Sequence, residues 1–461
     1  MKPTLVLAIC CASIVIAVMD ISIVTVALPS IRHDLGASTE GLQWTIDAYT
    51  LVLAGFLVLA GSTADRFGRK RVFLTGLAVF GVGSLLCSVA PGIGWLIAAR
   101  AVQAVGGTML NPVALAIVVT TFPAPAERAR AIGVFGSMSG LALALGPILG
   151  GLLVDSLGWR AVFWVNVPII AVAIVATAAF VPESRAARAR RFDPVGQVLV
   201  VLVLGCVVAT IIEARRSPVV LGLLLVAGLA AFALLRYEPR RADPLLELRL
   251  FRSVPFTGAI AMALFSLCGF GAFLFLTTQY LQDVRGLPAL GAGLCLLPVG
   301  VLVLLLSRRT GRLVGTRGPR LPLVVAGVAL ALGGAASVWL GPATPLPLVL
   351  AVSLLFGVFL GTVNPPITTS AVAGMPPSMA GVAGSLASAG RQTGTTLGVA
   401  LAGTIAGTGE TAGVWWLVAA LGAGVLALAL VTTGPRATAT ATRAAALFAE
   451  VEGVSLRRPT G

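Results

Sequence analysis

The sequence predicts an all-α polytopic membrane protein with fourteen transmembrane helices, on three observations. Hydrophobic residues make up 58% of the 461-residue chain and charged residues only 11%, where a soluble domain holds about 45–50% and about 25%. Mean hydropathy is +1.02. The apolar residues come in runs long enough to cross a bilayer, which takes about 20 per helix. No interval between runs is long enough to fold as a soluble domain.

The runs, broken by charged or Gly/Pro-rich intervals, fall at 5–30, 42–62, 72–90, 93–119, 129–153, 161–181, 194–213, 218–235, 254–279, 289–307, 320–340, 346–370, 380–406 and 413–433. In the first, Leu7–Cys10 has the look of a lipoprotein processing site. The run continues unbroken to Pro29, so it reads as an uncleaved helix. An even number of spans puts both termini on one side. That side collects 25 Lys and Arg in loops and tails against 5 on the other, with Arg100 and Arg391 inside spans. The basic side is the cytoplasm. Trp44, Trp95, Trp159, Trp164, Trp339, Trp415 and Trp416 then all sit at outer ends or in outer loops, at the interface that indole favours. The preference for Ala, Gly and Arg over Lys points to a GC-rich bacterial genome, hence to a bacterial cell membrane.

Several function classes drop out. Lysine occurs only at Lys2 and Lys70, neither in a phosphate-binding loop. His33 is the lone histidine, so no His-based metal site or catalytic dyad is expected. The six cysteines (Cys10, Cys11, Cys87, Cys206, Cys268 and Cys295) all lie in apolar runs and read as buried small hydrophobes. No rim cluster suits an enzyme, and no repeated short segment suits a channel filter. The net charge of +15 lies in short loops and calls for no nucleic acid. The lipid bilayer is the partner these features call for, with no metal or cofactor.

The chain repeats itself. Gly61–Lys70 (GSTADRFGRK) returns as Gly311–Arg320 (GRLVGTRGPR) at an offset of 250. Gly133–Ser137 (GVFGS) returns as Gly381–Ser385 (GVAGS) at 248, and Leu145–Gly151 (LGPILGG) as Leu397–Gly403 (LGVALAG) at 252. Three matches at nearly one offset indicate two six-helix halves of the same orientation. The boundaries are then 1–181 for the first half, 182–253 for a linker with two inserted helices, 254–433 for the second half and 434–461 for a cytoplasmic tail.

These segments resemble the major facilitator superfamily and its fourteen-helix drug/proton antiporter branch, over residues 5–433. Gly61–Arg71 (GSTADRFGRKR) resembles the loop motif between the second and third helices, and Leu96–Gly107 (LIAARAVQAVGG) the fourth-helix motif with an intramembrane arginine. Gly140–Leu153 (GLALALGPILGGLL) resembles the antiporter motif of the fifth helix. Asp20–Pro29 (DISIVTVALP) resembles the first-helix motif, with Ser22 and Thr25 where Thr and Asn are usual. Trp44–Tyr49 (WTIDAY), Gly158–Arg160 and Asn166–Pro168 fit the same branch. The resemblance implies a major facilitator fold, and a loop latch around Asp65, Arg66 and Arg69 that holds an inward-closed state. It also implies a fifth helix at the interface between halves and typical of exporters. From the residues themselves, Gly61 and Gly68 suit tight turns and close approach, and Asp65 can pair with neighbouring arginines. The small residues Gly136, Gly140, Gly146 and Gly150 let another backbone near, and Pro147 permits a bend.

Asp20, Asp47 and Arg100 are the informative charges, since an intramembrane charge normally faces a cavity and a partner. Asp20 and Arg100 fall at comparable depth and read as a proton switch and its tuner, or as a static ion pair. Desolvation opposes an ionised Asp20 and a guanidinium favours it. Asp47, nearer the outer end, reads as a contributor to proton coupling and cation selectivity, or as a water-exposed acid. With Tyr49, Gln103, Asn111, Gln279, Asn364 and Arg391, these acids are expected to line a substrate cavity. Arg391, with no acid at its depth, is expected to bond backbone carbonyls, Gln392 or Gln279. With the resemblance, the expected function is proton-coupled export of lipophilic, cationic drugs or antibiotics by a monomer whose partners are a small-molecule substrate, protons and the lipid bilayer. Export of a single natural product, or proton-coupled symport, are the alternatives.

Overall fold

The computed structural model describes residues 3–185, 193–214, 217–241, 247–373, 375, 377–441 and 443. Among these every regular element is helical. The first group comprises α1 (Pro3–Leu35), α2 (Thr39–Phe67), α3 (Arg69–Ser88), α4 (Ile93–Thr121), α5 (Pro125–Leu157) and α6 (Asn166–Phe180), the last entered through a single turn at Ala161–Trp164. Two further helices follow, α7 (Pro194–Ile212) and α8 (Ser217–Tyr237). The second group comprises α9 (Val254–Gln279), α10 (Ala289–Arg317), α11 (Arg320–Ser337), α12 (Leu346–Val372), α13 (Pro377–Ala406) and α14 (Thr411–Thr432). Within the tail at 434–461, residues 444–461 lie outside the described residues.

Among the described residues twelve helices are long and apolar enough to cross a membrane, or thirteen when the two parts of α2, bent by 54° between Leu57 and Leu59, count as one span. A count of fourteen needs α13 as well, whose Gly, Ser, Thr and Gln content and Arg391 lower its hydropathy.

Local chemistry sets the helix ends. Asp193 accepts from the Gly196 amide and Pro194 opens α7; Ser253 accepts from Phe256 at the start of α9. The internal repeat is written in the turns. The positive-φ residues among those described are six glycines: Gly36 and Gly286 close the turns after the first helices of each group, Gly68 and Gly318 follow α2 and α10, and Gly158 and Gly409 follow α5 and α13. Each pair is 250 or 251 residues apart. Only glycine adopts this conformation without strain, so the repeat fixes the corners of both halves.

Each group packs on itself, α3 with α4 and α9 with α13 most closely, and the groups meet chiefly through two pairs, α5 on α10 and α2 on α13. Backbones touch at the first pair: a Cβ on Gly300 would strike Ala144, one on Gly293 the Pro147 carbonyl, and one on Gly151 the start of α10. The inserted helix α7 lies over the α2–α13 seam and bonds both sides of it. Gln197 donates to the Gly55 carbonyl of α2, and Thr404 of α13 donates to the Ile211 carbonyl at 2.9 Å. The α8 helix packs on α7 and exposes Leu221, Leu225, Leu229, Phe232 and Leu235.

Hydrogen bonds between the groups gather at one end. Arg32 donates to Gln279 at 2.8 Å and pairs with Asp283 at 3.3 Å. Gln282 donates to the Val26 carbonyl at 2.9 Å. Asp155 of α5 accepts from the Ala289 and Leu290 amides of α10 at 3.1 and 2.8 Å. Toward the other end, a Cβ on Gly133, Gly136 or Gly384 would meet open space.

Candidate functional site: a buried ion pair and an unpartnered acid

Asp20 of α1 and Arg100 of α4 are both essentially buried and form an ion pair at 2.5 Å. The rest of the site satisfies what that pair leaves over. Gln103, one turn along α4, donates to Asp20 Oδ1 at 2.8 Å and accepts from Arg100 at 2.6 Å. Asn166, at the start of α6, donates to the same Oδ1 at 3.0 Å. Ser84 of α3 accepts from Gln103 at 2.7 Å and from Asn166 at 3.4 Å. Arg100 Nε donates to the Thr45 carbonyl of α2 at 3.2 Å, and its guanidinium lies over the Tyr49 ring, 4.1 Å from the centroid. Desolvating two charges costs several kcal/mol per ion in order of magnitude, offset only by good geometry and additional hydrogen bonds. Five of the first six helices supply them here.

From sequence, Asn166 stands only within the Asn166–Pro168 segment, with no role in the site, and Ser84 is not named. Asn166 carried a signal, as a polar side chain in an apolar run two residues before a proline; Ser84, a small polar residue among many, carried none.

Asp47 is a contrast. It is 0% exposed, and neither carboxyl oxygen has a hydrogen-bond partner among the described residues. The water-exposed alternative therefore fails, because α2 turns this side chain into packed helices. The cavity expected from sequence also changes. Tyr49 and Gln103 are buried, the former beneath Arg100 and the latter in the Asp20 network, so with Asp20 and Asp47 they line no open space in this conformation. Asn111, three turns along α4 from Arg100 on the same face, is exposed, and Asn364 is half-buried. Gln279 accepts from Arg32 and donates to the Phe275 carbonyl at 3.0 Å. Arg391 bonds neither glutamine. It donates to Ser388 Oγ at 2.7 Å and Thr368 Oγ1 at 3.5 Å, hydroxyls within reach on its own helix and on α12.

In the loop between α2 and α3, Asp65 pairs with Arg69 at 2.9 Å. Gly68, at φ 109°, sits against the Glu183 carboxylate, which accepts from the Lys70 amide at 3.1 Å and pairs with Arg71 at 3.7 Å. Glu183 was not anticipated; an acid in a basic loop was the available signal. Arg66 is exposed. Gly61 meets open space, so it serves no close approach here. On α5 the small residues divide: Gly140 packs on Val303 and Leu304 of α10, Gly146 and Gly150 on α1, and Gly136 on nothing.

The chain matches the family model described as Major Facilitator Superfamily over residues 10–394. It is 36% identical over 391 residues to Multidrug resistance protein Stp of Mycobacterium tuberculosis (strain CDC 1551 / Oshkosh), covering 84% of this chain and 73% of that protein. It is 37% identical over 409 residues to the puromycin resistance protein of Streptomyces alboniger, covering 87% and 81%. It is 35% identical over 402 residues to the tetracenomycin C resistance and export protein of Streptomyces glaucescens, covering 85% and 74%. The fold is shared with a solved POT family transporter in complex with 5-aminolevulinic acid, at a TM-score of 0.70, 15% identity and coverage of 94% and 96%. A helical bundle of two six-helix groups, with Asp20, Asp47 and Arg100 buried in the first, thus has its place among known proteins: the chain belongs to the Major Facilitator Superfamily.

Proposed function

We propose that the protein is a proton-coupled antiporter that exports lipophilic, cationic drugs or antibiotics from a bacterial cytoplasm by alternating access. One observation carries the reading: the buried Asp20–Arg100 pair inside a six-helix half. Charges are kept at membrane depth at a cost, and mark ion and substrate pathways. The relatives named for multidrug resistance and for resistance and export support efflux. With both termini in the cytoplasm, the end joined by Arg32, Asp155 and Asp283 faces outward. This conformation is then closed outside and splayed toward the cytoplasm, where Asn111 is exposed. Asp65 is engaged by Arg69 of its own loop, as a released inward-closing latch would be.

In the proposed cycle the Asp20 carboxyl carries either a proton or the substrate's positive charge. Outward-facing, it takes a proton and releases substrate; inward-facing, it loses the proton and accepts substrate again. Arg100 keeps its charge throughout and acts by changing its distance to Asp20 as the halves 1–181 and 254–433 rock. Expelling a cation against a negative interior costs about 2.3 kcal/mol per charge per 100 mV, which inward proton flow offsets. Relatives named for puromycin and for tetracenomycin C favour, as a second reading, export of a single natural product.

The test is substrate-induced proton movement in inside-out vesicles across cationic, neutral and anionic drugs. Proton release from the vesicle lumen with cations alone is expected, and its loss in Asp20→Asn protein that still reaches the membrane. Equal responses to all three classes would remove the cationic assignment, and coupled movement of drug and proton in one direction would replace antiport by symport.

A further inference from the structure

Asp47 is buried without a partner, and its neighbours on α2 show where. Residues three and four positions away share a helix face. On that face Gln43 donates to the Ala400 carbonyl of α13 at 2.6 Å, and Thr50 meets Thr396 Oγ1 at 2.7 Å. Trp44 and Leu51 pack with Val208 and Ile212 of α7 and with Ala400 and Leu397 of α13. Asp47 therefore lies in the seam where α2, α13 and α7 meet, with α7 tethered to both halves across it. Among the described residues no positive charge facing it compensates a carboxylate. The titratable side chains on α7 are Cys206 and, capping its end one residue beyond Ile212, the acid Glu213; that on α13 is Arg391, held by Ser388 and Thr368. Arg100 of α4 is engaged by Asp20 and the Thr45 carbonyl. On α2 itself, Glu40 lies about two turns away at the helix start, Tyr49 beneath Arg100, and Asp65 and Arg66 at the far end. A buried carboxylate lacking both charge partner and donor gives way to the neutral acid.

We infer that Asp47 is a proton-dependent lock on the outer seam: α2 and α13 close against each other only around a protonated Asp47. The inference rests on the orientation and coupling proposed above. It makes the return from the outward-open state conditional on taking a proton from outside, and gives the inserted helix α7 a task, to wall the acid off from lipid while the seam is shut. The second acid is then a gate on the cycle, distinct from the substrate-exchanging Asp20.

Spin labels at Thr39 and Thr408, on the outer ends of α2 and α13, report the seam without substrate or gradient. In the wild type the ratio of closed to open seam should fall about tenfold per pH unit once the open-state carboxyl ionises. In Asp47→Asn and in Asp47→Ala it should stay closed across the same range. A pH-independent wild-type seam would overturn the lock, and so would an unchanged pH dependence in both variants. Should neither variant fold, infrared difference spectra of the wild type decide. A protonated-carboxyl band present with the seam closed and lost as it opens is expected, and a carboxylate band in the closed state refutes the idea. Gradient-driven transport measured on the same protein separates the two readings. A pH-sensitive seam in a protein that moves no protons against drug would sink the antiporter and leave the lock.

Discussion

The two six-helix halves share a backbone plan and differ in their chemistry. Gly146 of the first half and Gly398 of the second hold equivalent places: a Cβ on the former would strike Ser22 of α1, and one on the latter the Cys268 carbonyl of α9. Gly136 and Gly384 both face open space. The charges break the symmetry. The first half encloses Asp20, Arg100 and Asp47, whereas the interior of the second holds Arg391 on two hydroxyls and an aromatic cluster in which Phe273 stacks on Phe356 at 3.7 Å. Duplication preserved what close helix approach demands, whereas among the described residues of the two halves the fully buried charges lie in one copy only.

The largest effect expected from this asymmetry is on stability. Arg100→Leu strands Asp20 in the interior, and breaking a buried pair from one side costs roughly 3–5 kcal/mol. Arg391→Leu leaves only hydroxyls that keep backbone acceptors or can find them, and should cost about 1 kcal/mol or less. Unfolding midpoints in detergent compare the two. Similar losses would mean that the second half hides a charge partner, and the comparison between halves would break. The double variant Asp20→Asn/Arg100→Leu should recover part of the loss.

Sequence reasoning reached the all-helical membrane class and the shared depth of Asp20 and Arg100, because each rests on local hydropathy or helical rise, while its count of fourteen spans stands at twelve or thirteen among the described residues. It did not reach the sealing of Asp47. Which face of α2 is dry depends on where α7 and α13 lie, and nothing within 42–62 encodes that. The same gap misjudged Gly61 and Gly136, since a glycine records permission for close approach and only the packed fold shows whether a neighbour takes it. Asn166 and Ser84 join the Asp20 network through helices 60 to 150 residues away in sequence, beyond any local pattern.

A middle-sized effect sharpens the shared plan. Adding a methyl overpacks the Ser22 side chain at Gly146 and the Cys268 carbonyl at Gly398, and should cost about 1–3 kcal/mol in each half. Gly136→Ala and Gly384→Ala fill open space and should instead be neutral or stabilising by up to about 1 kcal/mol. Four midpoints falling into these two pairs would show that equivalence extends to energetics. A half-by-half grouping would show that the repeat is one of sequence alone.

The smallest effect concerns the first turns of α2 and α10, again equivalent helices. Ser38 caps its own helix by accepting from the Gly41 amide. Its counterpart 250 residues on is Pro288, whose backbone holds the same extended conformation, with ψ 158°, but which has no side chain to offer. The exposed amides of α10 are met instead by Asp155, from the other half. A cap supplied across the interface exists only while α5 and the first turn of α10 lie together, so it favours that closed arrangement in a way that a self-supplied cap cannot. Removing it with Asp155→Ala should forfeit about 1 kcal/mol, a roughly fivefold fall in the closed-to-open ratio there. Pro288→Ser, which restores the arrangement of the first half, should lower the same ratio by satisfying α10 in both states, and should blunt the effect of Asp155→Ala when the two are combined. Distances between labels on the last turn of α5 and the first turn of α10 provide the measurement. Additive effects in the double variant would mean that Asp155 acts by something other than capping.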